Sequence, residues 1–116
     1  GAMARTGDPL VLMKQENARI RISNGTYAPD FGQRTATYLQ GLGLNNAMEL
    51  TNGNSSDRTV IILYSPKLYT MSFLLYLFQL NSASGTSQIR FEPTASPLVD
   101  VEIRLGNDVA NANIIP

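Results

Sequence analysis

Residues 19–39 read RIRISNGTYAPDFGQRTATYL, and the reading of this stretch decides the fold. Through Ser23 the side chains alternate, with Arg19, Arg21 and Ser23 on one side and Ile20 and Ile22 on the other. A period of two marks a strand with one buried face. Asn24-Gly25 stops the run. Asp30, with Gln33 three positions later, has the spacing of an N-cap and a capping box. Phe31, Ala36, Tyr38, Leu39 and Leu42 then form an irregular apolar stripe, and Gly41 and Gly43 offer C-terminal stops. The stretch predicts a strand, a glycine turn and a helix of about three turns.

Many proteins hold a phosphate at such a turn. A dinucleotide fingerprint needs three glycines spaced G-x-G-x-x-G, whereas here Gly25 is followed only by Gly32. A P-loop needs a lysine opening the helix, and no lysine occurs between Lys14 and Lys67. Both phosphate templates fail. The structural reading is that Gly25 permits an unusual backbone angle and Asn24 hydrogen-bonds the turn. A ligand site at Asn24, Gly25 and Thr26 is the weaker reading.

Outward from this unit, Ala47–Leu50 is a short strand candidate and TNGNSSDR (51–58) a turn-rich loop. TVIILY (59–64) is continuously apolar and rich in β-branched residues, as a strand near a sheet centre is. Ser65-Pro66-Lys67 predicts a helix start, and LYTMSFLLYLFQLN (68–81) the helix, ended by SASGTS. Ile89–Glu92 is a short strand, and Val99–Leu105 alternates cleanly up to Gly106. Residues 4–16 are a lead-in, either an edge strand or one turn of helix. Residues 109–116 form an apolar, Asn-rich tail expected to fray. Gly1-Ala2-Met3 resembles a scar left by cleavage of an expression tag, and the chain is expected to be a piece of a longer protein.

The order is strand, helix, strand, strand, helix, strand, strand. Arg19, Arg21, Asp100, Glu102 and Arg104 give the first and last long strands a polar face. A sheet covered on both faces would not usually carry charges there. The expected class is therefore α+β, a two-layer sandwich with both helices on one sheet face. The loop of residues 51–58 has no helix for a parallel crossover. Strands 47–50 and 59–64 are thus expected to be antiparallel neighbours, with Met48 against residues 61–63. The result would be a ferredoxin-like split β-α-β with an extra C-terminal strand. The alternative is a small doubly wound α/β sheet.

The chain has nine basic and nine acidic residues, so it lacks the basic excess of a nucleic-acid module. It has no cysteine and no histidine, which removes the commonest metal sites, thiol nucleophiles and serine–histidine arrangements. No cofactor and no metal is expected. No apolar run approaches the roughly 18 residues of a membrane span, so no direct membrane insertion is expected. Asp100 and Glu102 share a strand face beside Arg104 and read as a solvated, mixed-charge surface rather than a general-acid pair. Asn24-Gly25-Thr26 and Asn54-Ser55-Ser56 also match the glycosylation pattern, relevant only in a eukaryotic secretory context.

The 68–81 helix is the odd feature. Leu68, Met71, Leu74, Leu75 and Phe78 form one face, expected on the sheet, while Phe73, Leu77 and Leu80 fall elsewhere. That apolar arc is wider than one sheet face usually covers. Either loops and the tail cover the remainder, Ile114-Ile115 being the best placed, or Phe73, Leu77 and Leu80 form a partner surface for a second copy or a neighbouring domain. The polar side lacks the lysines and arginines of a membrane-surface helix.

Together these residues resemble the LytR C-terminal domain, over about Asn17–Asp108. The resemblance lies in a strand ending in Asn24-Gly25-Thr26 and small residues, Gly32 and Ala36, early in the helix. It continues in the Leu39-x-x-x-Gly43 helix end and in a last strand closing with Leu105-Gly106-x-Asp108. Tyr27 and Phe31 are bulkier than is usual there, and the second helix is unusually apolar. The resemblance implies a non-catalytic accessory domain, commonly found behind the catalytic domain of LytR-CpsA-Psr proteins. Those proteins transfer glycopolymers onto peptidoglycan outside the bacterial membrane. It implies binding of cell-wall glycan or positioning of the adjacent catalytic domain, at the extracytoplasmic face. An oligomerisation module without glycan binding, possible as a homodimer, is the alternative.

Overall fold

The computed structural model describes residues 8–80 and 88–116, so Gly1-Ala2-Met3, expected to be a cleavage scar, and SASGTS, expected to end the second helix, lie outside the described residues. In chain order the elements are α1 (Pro9–Glu16), β1 (Ile20–Asn24), α2 (Phe31–Gly41), β2 (Ala47–Asn52), β3 (Val60–Leu63), α3 (Leu68–Leu77), β4 (Ile89–Phe91), β5 (Val101–Leu105) and α4 (Asn107–Asn111). No helix among the described residues is long and apolar enough to cross a membrane.

The five strands form one mixed sheet in the order β2-β1-β5-β3-β4. β1 runs parallel to both β2 and β5. β3 is antiparallel to β5 and parallel to β4. The α+β class and the two layers expected from the charged strand faces are found, and the split β-α-β topology is not. β2 and β3 are separated by β1 and β5, so Met48 pairs with Arg21 and not with residues 61–63. The intervening loop does not reverse into a hairpin. It crosses the carboxyl ends of β1 and β5, where the Gly53 N–H donates to the Asn24 carbonyl and the Ser56 N–H to the Gly25 carbonyl. Loop length alone does not distinguish a hairpin from such a crossing, because the two have the same reach.

Two β-α-β units flank the central strand β5. β1-α2-β2 steps outward on one side, and β3-α3-β4 steps outward on the other with its strands reversed. A right-handed crossover in each unit puts both helices on the same face. One core cluster accordingly joins Ile20 and Ile22 of β1, Ile61 and Leu63 of β3, and Val101, Ile103 and Leu105 of β5. From the helices it takes Met13 of α1, Phe31, Ala36 and Leu39 of α2, Leu74 of α3 and Val109 of α4. The opposite sheet face carries the polar residues.

The helix starts differ from the sequence reading. Asp30 makes no side-chain cap bond and pairs instead with Arg34, at 3.7 Å. α3 begins at Leu68 with no side-chain cap from its own segment. Its first amides are satisfied from a distance: Glu16 accepts from Tyr69 N at 2.9 Å and from Thr70 N at 2.7 Å. The lead-in is a full helix, α1, whose own N-cap is Asp8. Within α3, Leu74 is buried, whereas Leu68, expected on the sheet, is 53 % exposed. Phe78 lies just past the helix and is buried. The tail is ordered into α4 and returns Ile115 to the core instead of fraying.

Candidate functional site

Asn24, Gly25 and Thr26 form a turn that consumes most of its own hydrogen-bonding capacity. Asn24 Nδ2 donates to the Ala28 carbonyl at 2.9 Å, and its Oδ1 accepts from the N–H and hydroxyl of Thr26 at 3.0 and 2.6 Å. The Thr26 hydroxyl oxygen in turn accepts from the Ala28 N–H at 3.2 Å. Gly25 donates its N–H to the Leu105 carbonyl. A Cβ at Gly25 would lie 2.6 Å from the Asn54 oxygen and 2.7 Å from the Leu105 oxygen, so glycine is required by close backbone approach. Gly32 is small for a related reason: a Cβ there would meet the Glu49 carboxylate at 2.4 Å.

The other terminal motif is built the same way. Asp108 accepts from Thr59 N at 3.0 Å, from the Thr59 hydroxyl at 2.7 Å and from Gln88 Nε2 at 3.1 Å. It thereby ties the end of β5 to the starts of β3 and β4. The Gly106 N–H donates to the Thr59 hydroxyl oxygen, and a Cβ at Gly106 would fall 2.4 Å from the Arg58 backbone carbon. The two motifs, 80 positions apart, meet through Tyr27 N donating to Asn107 Oδ1 at 2.9 Å.

This frame opens onto the face without helices. The strand register lays Met48, Arg21, Glu102, Ile62 and Arg90 across all five strands, and Thr51, Ser23, Arg104 and Val60 across the next row on four of them. Glu102 organises the face. It accepts from Arg104 Nε at 2.7 Å, from the Tyr64 hydroxyl at 3.0 Å and from Arg21 Nη1 at 3.3 Å. Arg21 Nε is buried without a hydrogen-bond partner. At the carboxyl ends of β1 and β5 the face deepens into a cleft of about 480 Å³. Ser23, Ser55, Ser56, Arg58, Arg90 and Arg104 line it, together with Glu102 and glycines 25 and 53. Ligands of open sheets settle outside the carboxyl ends of strands, which is where this cleft lies.

The acids on this face are not solvated as the sequence suggested. Asp100 and Glu102 are each only 6 % exposed, because flanking arginines lie over them. Burial opposes the Asp100 charge, but hydrogen bonds from Arg19 overcome it and hold the carboxyl at about 2. Glu102 is likewise lowered: burial raises it, and bonds from Arg104 and Tyr64 outweigh that. Burial, and then the bond to Glu102, push the Tyr64 hydroxyl up. These carboxylates stay ionised and fully occupied, as anchors of the arginines.

The expected partner surface divides. Leu80 is buried, and Phe73 and Leu77 are half-buried against the core, so the three do not form one exposed patch. The exposed apolar residues of the helical layer are Leu10, Val11, Leu68, Tyr69 and Tyr76. The sequence reading places no ligand site at the cleft residues Arg58, Arg90, Ser55 and Ser56, the two serines entering it only through the glycosylation pattern. Arg90 carried a signal in the alternation of Ile89-Arg90-Phe91-Glu92, but the loop residues reach the cleft only through the path across β1 and β5.

A family model described as LytR cell envelope-related transcriptional attenuator matches residues 17–108. A search of curated proteins and of solved structures returns no significant match. The matched segment runs from the residue before Ala18 through Asp108 and so contains both glycine turns and all five strands. The chain belongs to the LytR C-terminal domain family, whose members are accessory domains of cell-envelope proteins.

Proposed function

We propose that this domain is a non-catalytic, extracytoplasmic accessory module that binds cell-wall glycan on its open sheet face, within a parent protein carrying a LytR-CpsA-Psr transferase domain. The observation that carries the reading is the helix-free face with its cleft at the carboxyl ends of β1 and β5. Serine hydroxyls, an asparagine and arginine N–H groups line the cleft, which is the mixed donor and acceptor surface that sugar hydroxyls require. Glu102, the carboxylate among the described cleft residues, already accepts from Arg104, Arg21 and Tyr64, which supports binding over acid–base glycoside chemistry. A co-sedimentation assay with purified peptidoglycan sacculi tests the proposal. Retention of the domain, weakened by Ser55→Ala with Ser56→Ala, is the expected result. No retention at any ionic strength would remove it.

A second reading, association of two copies through the helical layer, is favoured by Leu68, Tyr69 and Tyr76, exposed at 53, 47 and 82 %. Light scattering across a concentration series tests it, and a strict monomer excludes it.

A further inference from the structure

We infer that the ligand of the cleft is anionic, a phosphate- or carboxylate-bearing glycan held by arginine forks; this rests on the reading of the cleft as the glycan site. The chain as a whole has no net charge, yet among the described residues the cleft is lined by Arg90, Arg104 and Arg58, the last also bonded to Gln88, against one carboxylate, Glu102. That carboxylate is already matched: it accepts from Arg21, Tyr64 and Arg104. Arg104 spends only its Nε–H on it, at 2.7 Å, so the outer edge of its guanidinium remains as a donor edge. Arg90 has one ion pair, to Glu92 at 4.0 Å, and its side chain is half exposed. The register sets the two arginines on strands flanking β3, with Val60 opposite Arg104 and Ile62 opposite Arg90.

Val60, which lines the cleft on β3 between the strands of Arg104 and Arg90, gives it an apolar patch of floor. Charges near such a floor are less screened by solvent than on an open surface. Guanidinium forks match the two oxygens of a phosphate or carboxylate geometrically, which a lysine would not do. Glycines 25 and 53, also among the lining residues, are packed against the Asn54 and Leu105 carbonyls and the Ser23 hydroxyl, which holds the loop close over the strand ends at the cleft. The ligand class that fits is therefore an anionic chain crossing the carboxyl ends of β1 and β5, with one charged group near Arg90 and Arg104.

Titration calorimetry of the full chain with polyglycerol phosphate and with neutral dextran of matched length tests this. Binding to the polyanion and none to dextran is expected, weakening at least tenfold in Arg90→Gln combined with Arg104→Gln and falling steeply with salt. Arg90→Gln alone leaves the Glu102 bonds in place and covers the case in which the double variant misfolds; a several-fold loss is expected. Equal affinity for dextran, or unchanged affinity in Arg90→Gln, overturns the inference. Sacculi separate the two readings. Retention lost when phosphodiester polymers are stripped by acid supports the anionic ligand. Retention unaffected by stripping overturns it while leaving glycan binding intact. No retention on unstripped sacculi removes both.

Discussion

Thr70 donates twice to one oxygen of Glu16: its backbone N–H and its hydroxyl each lie 2.7 Å from Oε1. A helix start that lacks a capping side chain of its own is thus completed by the last residue of another helix. Glu16→Ala should destabilise the domain by about 1–3 kcal/mol, the worth of a cap with a charged acceptor. Urea unfolding measures it, and Glu16→Gln should recover part of the loss because an acceptor oxygen remains. No loss in Glu16→Ala would show that α1 and α3 are held by apolar contact alone.

Gly106→Ala should be strongly destabilising and Gly41→Ala should not. A Cβ at Gly106 meets the Arg58 backbone at 2.4 Å, and backbone there cannot swing aside as a side-chain tip can. Overpacking of this kind costs on the order of 1–3 kcal/mol. Gly41, in the last turn of α2, has nothing within 4 Å of such a Cβ. Its replacement should add about 0.5–1 kcal/mol through helix propensity. Thermal melts of the two variants should shift in opposite directions.

Acid should weaken the domain through Asp100. Its carboxyl lies at about 2 in the fold against an ordinary value of 3.8, so the group is lowered on folding. A lowered acid contributes stability above its unfolded value, and that contribution is lost as pH falls. The loss should therefore run from about pH 4 down towards pH 2, with Glu102 acting in the same direction. Denaturant midpoints recorded across this window should fall less in Asp100→Asn than in the parent chain. Equal slopes would place the acid sensitivity elsewhere.

Ile115→Ala should cost about 2–5 kcal/mol, as a buried large-to-small change does. Ile115 is 4 % exposed and sits in the one core cluster with Val109. Deleting residues 109–116 removes both and should leave a largely unfolded chain, since the two losses approach the stability of a small domain. Circular dichroism and urea titration decide between this and a dispensable tail.

Phe73→Ser and Leu77→Ser should lower stability rather than change mass, because both side chains rest against the core. Tyr76→Ser, at a residue 82 % exposed, should leave stability unchanged. If two copies associate through this layer, only the tyrosine variant should yield a folded monomer by light scattering.

Local chemistry is what this sequence determines by itself. The alternation at Arg19–Ser23 and Val101–Leu105, the apolar run of 59–64 and the glycine turn after Asn24 depend only on neighbours within a few positions, and each appears where the pattern puts it. The charged faces of the two long strands carried the layer count too, since burying five charges under a second helical layer would be prohibitive. Pairing was decided elsewhere. Whether residues 51–58 reverse beside β2 or cross to β3 depends on the Ser56, Gly106 and Asp108 bonds that fasten the loop over two strand ends, contacts made across tens of positions. The N-terminus of α3 likewise waits for Glu16, and the core for Ile115, both far away in sequence. The candidate cleft is of the same kind. Arg58, Arg90 and Arg104 come from a loop and two strands, and only the order β1-β5-β3-β4 brings them to one mouth. Periodicity states which way a side chain faces; only closure of the sheet states what stands beside it.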